Sequence, residues 1–340
     1  MKYSIIVPTL NRSASLKIAV LSVLNQEISR NLYEILIIDN GSADDTANVA
    51  RELIQSNYGV RIRYYFEPIP GLLSGRHRGA IEADGDILVF VDDDIVADKI
   101  WLSAIGEAFN SSSTHLVGGK CLPDYQERPP EWLESFWYHE DNLKQCFYLS
   151  LLDYGDQVCE IDPLYVWGLN FSIRKKTLFE LGGFHPDCLP KMFQRYQGDG
   201  ETGLAFKVKA KGYDIVYQPR ALVHHVIPAS RLTVEYFKER MFYAGVHDSF
   251  TSIRRNRGLK REMRMLKPLP QLRRFAGRLI AKMSSGRNAD LIQEIRAEWL
   301  KGYEFHQREV RSDPALLKWV LKDSYIDYRY GPFLKKAPVS

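Results

Sequence analysis

Ile87-Leu88-Val89-Phe90-Val91-Asp92-Asp93-Asp94 is the stretch that decides how the rest of the chain is read. Its five apolar residues are mostly β-branched or aromatic, and they end in three consecutive acids. A run this short and apolar on both faces predicts a buried strand of a parallel sheet. Ligands of open α/β sheets bind just beyond the carboxyl ends of such strands. Acids crowded there repel one another unless a cation offsets them. Hard divalent ions prefer carboxylate oxygens, and magnesium is usually held by one or two carboxylates plus substrate phosphates. A solvated turn is the simpler reading of an isolated aspartate run. Position at the end of a buried strand favours the metal.

Outward from that strand, the first half of the chain alternates. Strands are predicted over residues 4–8, 34–39, 60–66 and 87–91, and helices over 13–26, 43–55 and 72–83. Ser42 is the expected N-cap of the second helix, with Asp44 and Asp45 in its first turn. A helix over 100–109 and a strand near 115–117 continue the pattern, which implies a mostly parallel sheet. Residues 122–164 break it and read as an irregular insertion with an aromatic cluster around Trp132, Phe136, Trp137 and Tyr138. A strand over 165–173, helices over 175–181 and 201–211, and a strand over 214–218 follow. The tail beyond about residue 232 is helical and amphipathic. The expected division is an α/β unit over 1–230 and a helical, basic extension over 231–340.

The chain has 340 residues, 45% hydrophobic and 26% charged, an ordinary globular balance. No stretch approaches the roughly 20 apolar residues that span a bilayer. The first apolar run is too short for a signal peptide and reads as the first strand. Cys121, Cys146, Cys159 and Cys188 lack zinc-like spacing, and reduced thiols in a cytoplasmic protein are the simplest reading. Residues 254–287 hold twelve Lys or Arg against the single acid Glu262, a balance of +11 that leaves −7 for the rest of a +4 chain.

Pro8-Thr9-Leu10-Asn11-Arg12 ends the first strand and Asp39-Asn40-Gly41-Ser42 the second, on the same rim as the aspartates. An acid at the position of Asp39 can accept from a ribose hydroxyl or a base N–H, although Asp-Asn-Gly is also a good turn. Gly71 to Gly79 sets small residues, Arg76 and Arg78 at a helix start, which suits phosphate as well as a solvated surface. No Gly-x-Gly-x-x-Gly follows the first strand, and no P-loop pattern exists.

This series of motifs, from Pro8 through Asp39, Gly71, Arg76 and Asp92-Asp93-Asp94 to Gly168-Leu169-Asn170 and Gly182-Gly183-Phe184, resembles family 2 glycosyltransferases of the GT-A fold. The likeness covers about residues 2–230. It implies an α/β, Rossmann-like, mostly parallel sheet flanked by helices, with a helical C-terminal extension. It implies an inverting transfer of a sugar from a nucleoside-diphosphate donor, UDP by family habit, to a glycan or lipid-linked acceptor. The expected cofactor is Mn2+ or Mg2+ held by Asp94 and His225, the last histidine of Pro219-Arg220-Ala221-Leu222-Val223-His224-His225. Donor contacts are expected from Pro8, Thr9, Asn11, Arg12, Asp39, Gly71, Arg76, Asp92 and Asp93. Trp167, Gly168 and Asn170 are expected on the acceptor side, although core is the simpler reading of Trp167 and the aromatic insertion. Gly198-Asp199-Gly200-Glu201 replaces the family's usual Glu-Asp pair. Counting back from Gly212 puts Glu201 at the base position, with Asp199 as the alternative. His77 stands where the family often has Asn.

Leu269, Leu272, Phe275, Leu279 and Met283 recur at helical spacing among arginines and lysines. Such a helix suits an anionic membrane surface, here the inner face of the cytoplasmic membrane. An ordinary helix packed on the catalytic unit or on a second copy of the chain is the simpler reading. No nucleic-acid motif accompanies the charge. The competing class is a non-catalytic nucleotide-sugar or metal-binding relative with a degenerate base motif.

Overall fold

The computed structural model describes residues 1–56, 58–259 and 288–331. Its first half alternates as predicted: β1 (Tyr3–Thr9), α1 (Ser13–Leu24), β2 (Tyr33–Asp39), α2 (Thr46–Gln55), β3 (Arg61–Phe66), α3 (Leu72–Glu82) and β4 (Ile87–Val91). β1 lies parallel to both β2 and β4, and β2 to β3, giving the order β3-β2-β1-β4. Every residue of β1, β2 and β4 is buried, which is why their sequences are continuously apolar rather than alternating.

α2 begins three residues later than expected, and Ser42 does not cap it. Ser42 Oγ instead accepts the Asn11 N–H at 2.9 Å, and Asp44 accepts the Ser13 N–H at 3.0 Å. Asn11, left-handed at φ 54°, accepts the Ala43 N–H through Oδ1 at 2.7 Å. The polar groups that would have started a helix bind the loops after β1 and β2 to each other.

β5 (Ile95–Ala97), α4 (Trp101–Ala108) and β6 (Thr114–Tyr125) follow, β6 being far longer than the short strand expected. The stretch read as irregular is in fact partly regular. β7 (Tyr138–Glu140), β8 (Leu143–Cys146) and β9 (Leu151–Asp153) pair antiparallel and extend the sheet beyond β6. Its aromatic side chains are core: Phe136, Tyr148 and Trp132 meet Phe237 from the tail, with Ile292 and Ile295 alongside. β10 (Cys159–Glu160) pairs with a later strand.

β11 (Asn170–Arg174) enters antiparallel between β4 and β6, and the expected strand residues before it form a turn instead. After α5 (Lys175–Glu180) and α6 (Gly200–Ala210) comes β12 (Asp214–Ile227), parallel to β6 and antiparallel to β5. Its register shifts between Gln218 and Val223. Asn170 closes that irregularity: Nδ2 donates to the Ala221 carbonyl at 2.8 Å while Oδ1 accepts from Trp101 Nε1 at 3.0 Å.

The tail forms α7 (Val234–Arg255), α8 (Ala289–Ser312) and α9 (Pro314–Val320). Phe250, Ile253, Leu316, Trp319, Tyr325 and Tyr328 join the same core as the sheet. α7 and α8 cross backbone to backbone. A Cβ on Gly302 would overlap the Phe242 carbonyl, and one on Gly245 the Trp299 carbonyl. Gly302→Ala is therefore expected to cost about 1–3 kcal/mol by overpacking, read as a lowered urea midpoint; an unchanged midpoint would mean that the helices part there freely. The basic amphipathic helix expected over 269–283 lies outside the described residues. No described helix is long and apolar enough to cross a membrane. None of the four cysteines is paired.

Candidate active site

The three aspartates meet the ends of β1 and β12 on one rim. Thr9 Oγ1 donates to Asp93 Oδ2 at 2.7 Å, and Arg12 Nη1 donates to Asp93 Oδ1 at 3.0 Å and Asp94 Oδ2 at 2.7 Å. Burial pushes the Asp93 carboxyl up to about 6 against the pull of Arg12. Asp94 goes the other way: burial would raise it, but the guanidinium groups of Arg231 and Arg12 hold it well below the usual carboxylate range.

His225 is placed by the long β12. Its Nδ1 donates to the Leu149 carbonyl at 2.8 Å, so Nε2 carries the lone pair, and Nε2 lies 3.5 Å from Asp94 Oδ1. That oxygen is buried and has no hydrogen-bond partner. An imidazole fixed through its other nitrogen, beside an unsatisfied carboxylate oxygen, is a donor pair suited to a divalent ion. Among the described residues no cluster of three or more His, Cys, Asp or Glu is arranged to hold a metal. The pair fits an ion that takes its remaining ligands from substrate phosphates.

Across the rim, Glu201 opens α6. Its Oε1 accepts the Gly168 N–H at 3.0 Å, and its Oε2 accepts Arg76 Nη1 at 3.2 Å. The Arg76 guanidinium is buried and also donates to Asp187 Oδ2 at 3.1 Å, with Nη2 3.8 Å from Asp92 Oδ1. It lies over the Phe184 ring, and a Cβ on Gly168 would collide with it. Burial would raise Glu201, but Arg76 and the backbone N–H groups lower it, leaving an anion at neutral pH. Asp187 moves upward, because burial outweighs Arg76. Burial raises Asp92 against the pull of Arg76, and the same guanidinium reaches Glu201, so Arg76 ties the two carboxylate groups together across one cleft.

Other expected site residues are placed differently. Asp199 is buried away from Glu201, with Oδ1 2.5 Å from His185 Nδ1 and Oδ2 accepting from Thr251 at 2.5 Å. Asn170 is the buried clamp on β12, and Trp167 is buried with Nε1 donating to the Leu164 carbonyl at 2.9 Å. Of the acceptor-side trio only Gly168 reaches the cleft. Arg76 serves carboxylates rather than a phosphate. His77 is fully buried, and its Nε2 accepts the Phe184 N–H at 2.9 Å, so it holds core rather than donor sugar. Pro8 is a buried β1 residue. Asp39 is buried, accepting from Ser42 N at 2.7 Å and Tyr64 Oη at 2.7 Å. Beside it, Asn40 pins the loop after β3, donating to the Glu67 and Ile69 carbonyls at 3.0 and 2.6 Å and accepting the Gly71 N–H at 2.9 Å. Glu67 in turn accepts Tyr328 Oη from the tail at 2.7 Å.

A family model described as "Glycosyl transferase family 2" matches residues 4–177, about half of the chain. The chain belongs to glycosyl transferase family 2. "Glucosyl-dolichyl phosphate glucuronosyltransferase" of Haloferax volcanii is 24% identical over 252 residues, 72% of this chain and 75% of that relative. "GalNAc(5)-diNAcBac-PP-undecaprenol beta-1,3-glucosyltransferase" of Campylobacter jejuni is 30% identical over 190 residues, 55% of each chain. Among solved structures, the mannosyltransferase PcManGT from Pyrobaculum calidifontis, in complex with GDP-Man and Mn2+, has a TM-score of 0.59 at 15% identity over 90% of this chain and 86% of its own. The architecture is the GT-A glycosyltransferase fold with a helical C-terminal region.

The family match ends before Glu201 and His225, so half of the cleft lies outside it. Sequence reasoning missed Asp187 and Arg231. Asp187 follows Gly182-Gly183-Phe184 closely enough to have been suspected. Arg231 carries no signal of its own, since its partner Asp94 is 137 residues away.

Proposed function

We propose that this family 2 enzyme is inverting and metal-dependent, moving a sugar from a nucleoside-diphosphate donor to a hydroxyl of a lipid-linked or glycan acceptor. The observation that carries the reading is the buried, unpartnered Asp94 Oδ1, 3.5 Å from His225 Nε2. Asp94 and His225 would hold Mn2+ or Mg2+, which supplies Lewis-acid neutralisation of the departing diphosphate. Thr9 and Arg12 fix the Asp93 and Asp94 carboxylates that face it. Glu201, anionic and anchored by Arg76, takes the proton of the acceptor hydroxyl as the hydroxyl attacks. A carboxylate oxygen has lone pairs to spare beyond the single bond each already accepts.

Two relatives whose names carry a dolichyl phosphate and a PP-undecaprenol support a lipid-linked acceptor. Such an acceptor is met at a membrane surface, to which the +11 segment 254–287 is suited. A cytoplasmic placement follows from the same reading.

The test is a thermal-shift screen of UDP-, GDP- and dTDP-sugars with and without Mn2+. A donor that stabilises only in the presence of metal is expected. Asp94→Asn should weaken that metal-dependent donor binding by about tenfold or more. A donor shift identical with and without Mn2+, and indifferent to Asp94→Asn, would end the metal-dependent reading.

A further inference from the structure

Arg231 stands where a second cation would have to go. It ends the turn Ala229–Arg231 between β12 and α7, whose preceding residues are exposed, and its side chain turns back into the cleft. Nη2 donates to Asp94 Oδ2 at 2.6 Å, and Nη1 donates to His225 Nε2 at 2.6 Å. Because His225 Nδ1–H is spent on Leu149, the second bond uses the only lone pair of the imidazole. The guanidinium thus engages the two side chains best placed to ligate a divalent ion. Arg12 also reaches Asp94, but it is shared with Asp93 and its side chain is 43% exposed.

We propose that Arg231 is a place-holder that makes cation and donor binding depend on each other. It engages Asp94 and His225 in the free enzyme, yields the His225 nitrogen when a nucleoside diphosphate arrives, and then pairs with that diphosphate. The inference rests on the metal and donor reading above. Two cations cannot share one lone pair, so a divalent ion binding alone must displace Nη1 from His225 and give it nothing in return, while the bond of Nη2 to Asp94 Oδ2 sets a second positive charge beside the ion that enters at Oδ1. A diphosphate supplies the missing partner, since its oxygens match the fork of an arginine. Metal and nucleotide then tighten each other by the same factor, as linkage requires. The device keeps the enzyme from loading free cation that brings no donor with it.

The test is Mn2+ titration followed by the EPR signal of the free ion, alone and with UDP or GDP, on wild type, Arg231→Gln and Arg231→Lys. Arg231→Gln is expected to bind Mn2+ alone about tenfold more tightly than wild type, because a charge-assisted competitor is gone. The factor by which either diphosphate tightens Mn2+ should fall by about tenfold or more in the same variant. Arg231→Lys keeps the charge but lacks the fork that reaches the two partners through separate nitrogens, and should lie between the two. Equal or weaker Mn2+ binding by Arg231→Gln, with an unchanged coupling factor, overturns the proposal. If that variant does not fold, wild-type affinity and coupling in Arg231→Lys overturn it instead. A wild type that binds both ligands and loses them in Asp94→Asn, while Arg231→Gln changes nothing, sinks this inference alone. A wild type that binds neither ligand sinks the metal and donor reading along with it.

Discussion

Replacing Glu201 with glutamine is expected to cut sugar transfer by about a hundredfold or more while donor binding survives. Glutamine keeps the shape and can still accept from Gly168 or Arg76, but it cannot take a proton from an attacking hydroxyl. The wild-type carboxylate is lowered by Arg76 and by backbone N–H groups. Its base form is therefore present throughout the neutral range, and kcat/KM should fall only below the usual glutamate range. Asp199→Asn serves as the contrast. That carboxylate is buried against His185 and Thr251, so its loss should lower the melting temperature more than it changes the acid limb of the pH profile. Near-normal turnover in Glu201→Gln would remove Glu201 from the mechanism, and an altered pH limb in Asp199→Asn would put Asp199 in its place.

Arg76→Met should be the most damaging single change to the fold. The guanidinium is 2% exposed and serves Asp187, Glu201 and Asp92 at once. Methionine fills much of its volume but leaves buried carboxylates uncompensated, a loss of about 3–5 kcal/mol. Denaturant midpoints would read it, and a loss below about 1 kcal/mol would mean that water already satisfies those acids. The sign of the accompanying pH effect is fixed. Arg76 lowers Glu201, so removing it raises that group, and the acid limb of kcat/KM moves to higher pH. At positions where the folded pKa is depressed, stability is present above the unfolded value and is lost as pH falls through the folded one. The variant should lose that increment and flatten its acid unfolding curve.

What could be read from the residues alone follows the range of the interactions. The strand Ile87–Val91 and its acids are local: burial on both faces demands a continuous apolar run, and the helices between such strands have ordinary lengths. The partnership of His225 with Asp94 rests on family likeness, with spacing choosing His225 over His224, and on no local pattern. Where polar residues bond across the chain, local rules failed. Ser42 and Asp44 look like a helix start until Asn11 and Ser13 claim them. β7 to β9 are too short to carry a pattern of their own, so their identity as strands comes from their partners. Asn170 and Asp199 carry motif positions that suggest chemistry, yet both are used up by the interior. Arg76 looked like a phosphate ligand because an arginine near a helix start is read by its charge; three acids from distant elements reassign it.

The bond between Tyr328 and Glu67 joins residues 261 positions apart. Glu67 belongs to the loop that Asn40 pins beside Asp39, so this side of the rim is translated early yet anchored by a residue made much later. A nascent polypeptide still attached to the ribosome can already hold its parallel strands together and still have an unsecured loop there. That loop is then expected to be secured only after Tyr328 has been synthesised and has docked.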